Sequence, residues 1–276
     1  MSLTLMYITN NPEIAEIAEN AGVDRIFIDL ETIGKEERQH NMDTVKSFHC
    51  ISDIGKVRTV LTKAELLVRV NKIYSGSENE INKVIEQGAD VVMLPYFKTV
   101  DEVKNFLDII AGRVKTTLLL ETPEAVGLLD EILSLHGIDE VHIGLNDLHL
   151  GYHRKFMFEL LSDGTVEKIC SKLKLSNKKY GFGGIAALGC GALPAERIIR
   201  EHYRLGSTMA ILSRSFCNTE KITDCKEIQQ IFEKGIADIR RFEKEVLGKK
   251  RHGEHEYFEQ NECEIKRIVD EIVGER

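Results

Sequence analysis

The chain has 276 residues, 42% of them apolar and 30% charged, with a formal net charge of −8. That is enough for one large core plus an appendage, and without a basic block it excludes a nucleic-acid surface. No apolar run approaches the roughly 18 residues of a membrane span, the amino terminus lacks the pattern of a signal peptide, and the scattered cysteines, with no CxxC pair, read as reduced thiols of a soluble cytoplasmic protein and not as a zinc site.

Along the chain, strands are expected near 4–8, 25–30, 65–70, 91–95, 116–120, 140–144, 180–184 and 208–213. Helical periodicity lies between them, over 12–20, 81–87, 99–110, 123–135, 156–175 and 194–205. The stretches AGVDRIFID (Ala21–Asp29), QGADVVMLP (Gln87–Pro95) and HGIDEVHIG (His136–Gly144) repeat one pattern: a helix end, a glycine suited to the left-handed position after it, an aspartate, then an apolar strand without strict alternation, as in a parallel sheet covered on both faces. The expected fold is α/β: a closed (β/α)8 TIM barrel with additional C-terminal helices. The rival, an open doubly wound sheet, expects a glycine-rich loop after its first strand, and YITNNPE has none. Residues 32–64 form a long polar segment with room for an extra helix.

After the eighth strand a long helix is expected over about 219–247, then a charged break (Gly248–Glu256), then an amphipathic helix with Phe258, Cys263, Ile265, Ile268, Val269 and Ile272 on one stripe. This divides the chain into a barrel domain, 1–247, and a helical extension, 248–276. The extension packs on its own barrel or docks on a neighbouring subunit, and the second option motivates the expectation of a homo-oligomer.

Several strands run into a charged or polar residue at their C-terminal ends, where TIM barrels keep their active sites. Glu121 ends a run of three leucines, beside a helix start at Thr122 and Pro123. Asp147 follows the neighbouring strand, in a loop with Asn146. Two such carboxylates can share a divalent cation whose other ligands are water and substrate oxygens; the alternatives are a loop salt bridge and a helix cap. Arg69 ends ELLVRV and suits a substrate carboxylate or developing enolate, an ion pair to Asp29 or Glu31 across the barrel top, or both. Asp29 and Glu31 share one side by strand alternation and could position Arg69 or act as a base; Lys35 and Arg38 after them read as a solvated charge run. His142, inside a strand, reads as a packed histidine. His149, two residues past Asp147, is a candidate acid or base. Gly181, Gly183 and Gly184, with Arg214 beyond the eighth strand, allow an anion site or merely a tight barrel end.

IDLETIGKEERQ, LLVRVN, GADVVMLPYFKTVDEV, LLLETPEAV and IDEVHIGLNDLHLG together resemble, in order and over roughly 20–215, the HpcH/HpaI aldolase and citrate lyase β-subunit family of the pyruvate/phosphoenolpyruvate TIM-barrel superfamily. The resemblance implies Glu121 and Asp147 as ligands of Mg²⁺ or Mn²⁺, Arg69 as the contact to an enolate oxygen, and the backbone around Gly144, Leu145 and Asn146 near a substrate carboxylate. It implies reversible carbon–carbon cleavage of a small 2-oxo acid or related carboxylate. The alternatives are a citryl/malyl-CoA-type lyase, a phosphoenolpyruvate-type transfer enzyme, and a barrel that binds a carboxylate without turnover. One departure stands out: the aldolase branch places a histidine base directly after the acid of the second strand, where this chain has Thr32.

Overall fold

The computed structural model describes residues 2–34 and 49–275. Eight parallel strands close a barrel in sequence order: β1 (Thr4–Ile8), β2 (Arg25–Asp29), β3 (Glu65–Arg69), β4 (Val91–Leu94), β5 (Lys115–Leu120), β6 (Glu140–Ile143), β7 (Lys179–Ile185) and β8 (Met209–Leu212). All eight fall where the apolar runs place them. The TIM-barrel expectation is therefore met, and the open sheet is ruled out by the β1–β8 pairing.

Helices cover the outside. They are α1 (Pro12–Ala21), α2 (Ile51–Arg58), α3 (Ser77–Glu86), α4 (Val100–Ile110), α5 (Pro123–Gly127), α6 (Leu129–Leu133), α7 (Leu145–Gly151), α8 (Glu159–Ser162), α9 (Thr165–Leu175), α10 (Ala195–Leu205), α11 (Cys225–Arg251) and α12 (His255–Gly274). Local chemistry sets their ends. Asn11 accepts from the first-turn amides of α1, and Thr99 and Glu102 form a reciprocal capping box at α4. Helix α2 fills part of the long 32–64 segment; Lys35 and Arg38 lie outside the described residues. The periodic stretch 123–135 is two short helices broken at Leu128, whose φ of −100° and ψ of 10° interrupt the α ladder.

Two apolar layers result. Met6, Phe27, Leu67, Val91, Met93, Leu119 and Met209 fill the barrel interior, and a larger shell packs between strands and helices. The barrel floor is ionic. Arg25, 2% exposed, donates to Glu140 Oε2 at 2.8 Å and Glu65 Oε2 at 2.6 Å. These groups come from the N-terminal ends of three strands, away from the mouth where chemistry is expected.

Helix α11 belongs to the outer layer: Glu243 accepts from the Leu3 amide at 2.7 Å, and Phe232 meets Tyr7 edge-on at 4.8 Å. It both starts and ends later than its periodicity suggests, running from Cys225 to Arg251. The last helix, α12, lies on α10 and α8 of the same chain. Phe258, Ile265 and Val269 are buried there, Asn261 donates to the Arg197 carbonyl at 3.1 Å, and Arg200 donates to the Tyr257 hydroxyl at 2.7 Å. Cys263 on the expected stripe is exposed. Among the described residues, no helix is long and apolar enough to cross a membrane.

Candidate active site

The C-terminal mouth of the barrel holds a cavity of about 580 Å³. Its wall near β2 and β3 carries Asp29, His49 and Arg69; the β5–β6 side carries Glu121, Gly144, Leu145, Asn146 and Asp147; the far side carries Gly183, Gly184, Ser213 and Arg214.

Asp29 and Arg69 are register partners in the parallel β2–β3 pair, so both point into the mouth. Arg69 donates from Nε to Asp29 Oδ1 and from Nη2 to Asp29 Oδ2, both at 2.8 Å. Its Nη1 lies 3.3 Å from Glu31 Oε2, and its guanidinium stands 5.7 Å from the Phe27 ring centroid. Burial alone would lower the arginine pKa, but the neighbouring Asp29 and Glu31 charges outweigh it and raise the value further. Arg69 is thus a fixed cation held by two acids, the ion-pair reading of the sequence, with its side chain still part of the cavity wall. Glu31 is buried behind it and does not line the cavity.

Glu121 emerges directly after β5 and is 3% exposed. The Tyr96 amide donates to Glu121 Oε1 at 3.0 Å; Tyr96 adopts a left-handed φ of 47°. Thr122 caps α5 and donates to the Phe97 carbonyl at 2.7 Å, which fixes the strand-to-helix corner. Asp147 differs from its loop expectation: it lies in the first turn of α7, where the helix dipole favours an acid. The helix escapes sequence reading because it is two turns long and its cap, Gly144, offers no side chain. A Cβ at Gly144 would meet Glu121 Oε2 at 2.7 Å, so only glycine lets α7 start against the carboxylate.

Glu121 and Asp147 line both the main cavity and a neighbouring one of about 360 Å³ with Tyr96, Lys98 and Leu150. Two buried carboxylates open to space on both sides suit a hard divalent cation that completes its shell with water or substrate oxygens. Among the described residues, no group of three or more His, Cys, Asp or Glu side chains gathers as a closed metal cage.

Other expected positions fall elsewhere. His149 is buried, does not line the cavity, and donates from Nδ1 to the Leu145 carbonyl of its own helix at 3.1 Å. Thr32 ties the β2 loop to Asn71, its amide donating to Oδ1 at 2.9 Å. His142 does line the cavity; its Nε2 donates to the Gly183 carbonyl at 3.1 Å, and burial pushes its imidazole down to about 4. Gly181 is explained by packing, since a Cβ there would lie 2.2 Å from Met209. Sequence reading passed over Thr9, Asn10, Ser213 and His49. The first three follow the rule already in use, polar residues just past a strand end. His49 carries no such signal, because it returns to the site from the far end of a long connection.

The HpcH/HpaI aldolase/citrate lyase family model matches residues 3–184. No curated protein matches the chain in sequence. Among solved structures, an HpcH/HpaI aldolase from Desulfitobacterium hafniense DCB-2 superposes with a TM-score of 0.63 at 15% identity, covering 83% of this chain and 93% of that one. A family protein from Burkholderia cenocepacia J2315 gives 0.62 at 14%, covering 83% and 95%. The citrate synthase SbnG gives 0.61 at 15%, covering 83% and 94%. At these identities the likeness speaks for the fold.

Proposed function

The chain belongs to the HpcH/HpaI aldolase/citrate lyase family, and from that premise we propose that it is a divalent-metal-dependent carbon–carbon lyase acting on a small 2-oxo acid or a related enolisable carboxylate. The observation that carries this reading is that the Glu121–Asp147 pair and the Arg69 guanidinium line one cavity, with the Glu121 charge near enough to act on Arg69.

Glu121 and Asp147 are the residues that would hold Mg²⁺ or Mn²⁺. Such a cation, when bound, supplies positive charge where an enolate develops. Arg69, at the end of β3, offers donors to the same developing charge. Asp29, by gripping two of the guanidinium nitrogens, sets its plane before substrate arrives, so little reorganisation remains to be done during reaction. Gly144, Leu145 and Asn146 line the wall beside Glu121, where a substrate carboxylate fits against backbone. Leu119, Ile211, Leu212 and Met157 complete the cavity with apolar surface, which limits water around the enolate and strengthens each charge interaction.

The test is proton exchange. Pyruvate incubated with the protein in D₂O and Mg²⁺ or Mn²⁺ is expected to lose its methyl proton signal in a metal-dependent way, and Arg69→Ala and Asp147→Ala are expected to abolish the loss. Exchange that persists without metal or in both variants contradicts the proposal.

A further inference from the structure

Asn71 lies two residues past Arg69, on the chain that leaves β3, and is buried. Its amide is engaged at both ends. Oδ1 accepts from the Thr32 N–H at 2.9 Å, the Ile33 N–H at 2.9 Å and the Thr32 hydroxyl at 3.3 Å. Nδ2 donates to Glu80 Oε1 of α3 at 2.8 Å, and the Asn71 N–H reaches the same oxygen at 3.2 Å. Turned over, the amide would set its NH₂ against two backbone N–H groups and its carbonyl against a carboxylate, so its neighbours fix its orientation. Four successive amides past β2 are thereby tied. Leu30 donates to the Arg69 carbonyl at 2.9 Å, Glu31 donates to Asp29 Oδ1 at 3.1 Å, and Thr32 and Ile33 donate to Asn71.

We propose that Asn71 is a positioning residue: anchored on Glu80, it clamps the chain past β2 so that Glu31 stays against Arg69. Glu31 Oε2 lies 3.3 Å from Arg69 Nη1, and the Glu31 side chain is 1% exposed. Asp29, the other acid on Arg69, belongs to β2 and is held by the sheet itself. Glu31 lies beyond the last β2–β3 register pair, so its place depends on the chain that follows it, and that chain is tied to Asn71. Asp29 grips Arg69 at Nε and Nη2. A displaced Glu31 takes away the charge beside Nη1, and with it one constraint on the guanidinium plane. Arg69 and Asn71 leave β3 together, so the cation and the clamp on its second acid move as one unit. Glu80 is a demanding anchor: burial raises its carboxyl pKa, and the Asn71 donors act against that rise.

Two measurements test the assignment. The first reads pyruvate methyl exchange in D₂O with Mn²⁺ and rests on the lyase reading above. Asn71→Asp keeps the oxygen that the loop amides need but sets a second carboxylate against Glu80. Exchange is expected to fall about tenfold or more, within the roughly 10²-fold that a displacement of about 1 Å can cost. Adding Glu80→Gln gives that carboxylate an N–H partner and is expected to recover most of the rate; no recovery overturns the assignment. Asn71→Ala is expected to slow exchange in the wild-type background and to change little in Glu31→Gln, because a residue acting through Glu31 has nothing more to lose there. The same fold loss in both backgrounds overturns it. The second measurement needs no turnover. It follows the Nε–Hε signal of Arg69 by ¹⁵N NMR, identified by its absence in Arg69→Lys. The signal is expected to shift in Glu31→Gln, to shift the same way in Asn71→Ala, and to move little further when the two are combined. A signal that Asn71→Ala leaves in place, or shifts that add in full, overturn the assignment. Wild type that exchanges nothing counts against the lyase reading alone, and the Arg69 signal then decides the role of Asn71.

Discussion

Asp29 and Arg69 sit directly opposite each other on neighbouring parallel strands and are joined by two hydrogen bonds of 2.8 Å. A bidentate pair needs both the register and the planar fork of arginine. Arg69→Lys keeps the charge but cannot reproduce the fork, so exchange of pyruvate protons is expected to fall by about 10²-fold with the fold intact. Asp29→Asn removes the charge that grips Arg69 at two nitrogens and leaves the Glu31 and Glu121 charges beside it. Breaking such a pair costs on the order of 3–5 kcal/mol when both partners are fully buried, and Arg69 at 14% side-chain exposure should sit at the low end. Urea unfolding of both variants checks this; unchanged stability in Asp29→Asn would mean the pair is not formed in solution.

The metal reading predicts a separation between affinity and stability. Glu121→Gln and Asp147→Asn preserve shape while removing anionic donors. Each is expected to weaken Mn²⁺ binding at least tenfold by calorimetric titration, and removal of buried carboxylate charge should leave the thermal midpoint equal or higher. A variant that binds Mn²⁺ as tightly as wild type would contradict the assignment of its residue.

Gly144→Ala tests the contact between α7 and Glu121. The added Cβ would fall 2.7 Å from Glu121 Oε2 and 2.8 Å from Glu121 Cβ, so the carboxylate or the helix start must move. Catalysis is expected to drop by about 10²-fold, the effect of a misplacement of about 1 Å, with a stability loss of about 1–3 kcal/mol from overpacking. Wild-type kcat in this variant would mean the mouth adjusts freely.

The barrel was legible because each strand combines an apolar run with a charged or polar terminus, and that pairing survives without knowledge of neighbours. Arg69, Glu121 and Asp147 were legible by the same rule. What escaped depends on distance. Arg25 begins β2 and Glu140 begins β6, and nothing in either segment announces that they meet through the barrel floor. The Leu128 break is invisible to periodicity because Leu128 itself is apolar. His49 lines the cavity only because the chain returns to the end of β2, where the Asp29 amide meets its ring.

The final helix makes a prediction about stability before assembly. Its buried face rests on α10, with Arg204 near Glu262 at 3.3 Å and Arg197 near Glu264 at 3.8 Å. Deleting residues 254–276 uncovers apolar surface that the same chain now covers, so the thermal midpoint should fall by several degrees. Light scattering on the truncated and full chains tests the separate expectation of a homo-oligomer: a mass that shifts on truncation supports a role of this helix in assembly, and an unchanged oligomer removes it.

Acid sensitivity follows from two buried histidines. Burial pushes His142 down to about 4 and His202 down to about 3, while an unfolded histidine titrates near 6.5. His202 is fully enclosed, stacked on Phe182 at 3.8 Å and joined to Ser207 Oγ at 2.7 Å. Because both folded values lie below the unfolded one, the unfolded chain binds more protons between them, and stability rises with pH there. The contribution is complete above about 6.5 and is lost as the pH falls from there through about 4 for His142 and about 3 for His202. Between pH 7.5 and pH 5 each histidine should remove about 2 kcal/mol, read by urea unfolding at the two pH values. His202→Asn keeps a polar group beside Ser207 and cannot titrate, so it should remove about half of that slope even if it lowers stability at both pH values. A slope identical to wild type would mean that His202 is protonated in the folded state or open to water, and the enclosed packing of α10 against β7 would have to be wrong.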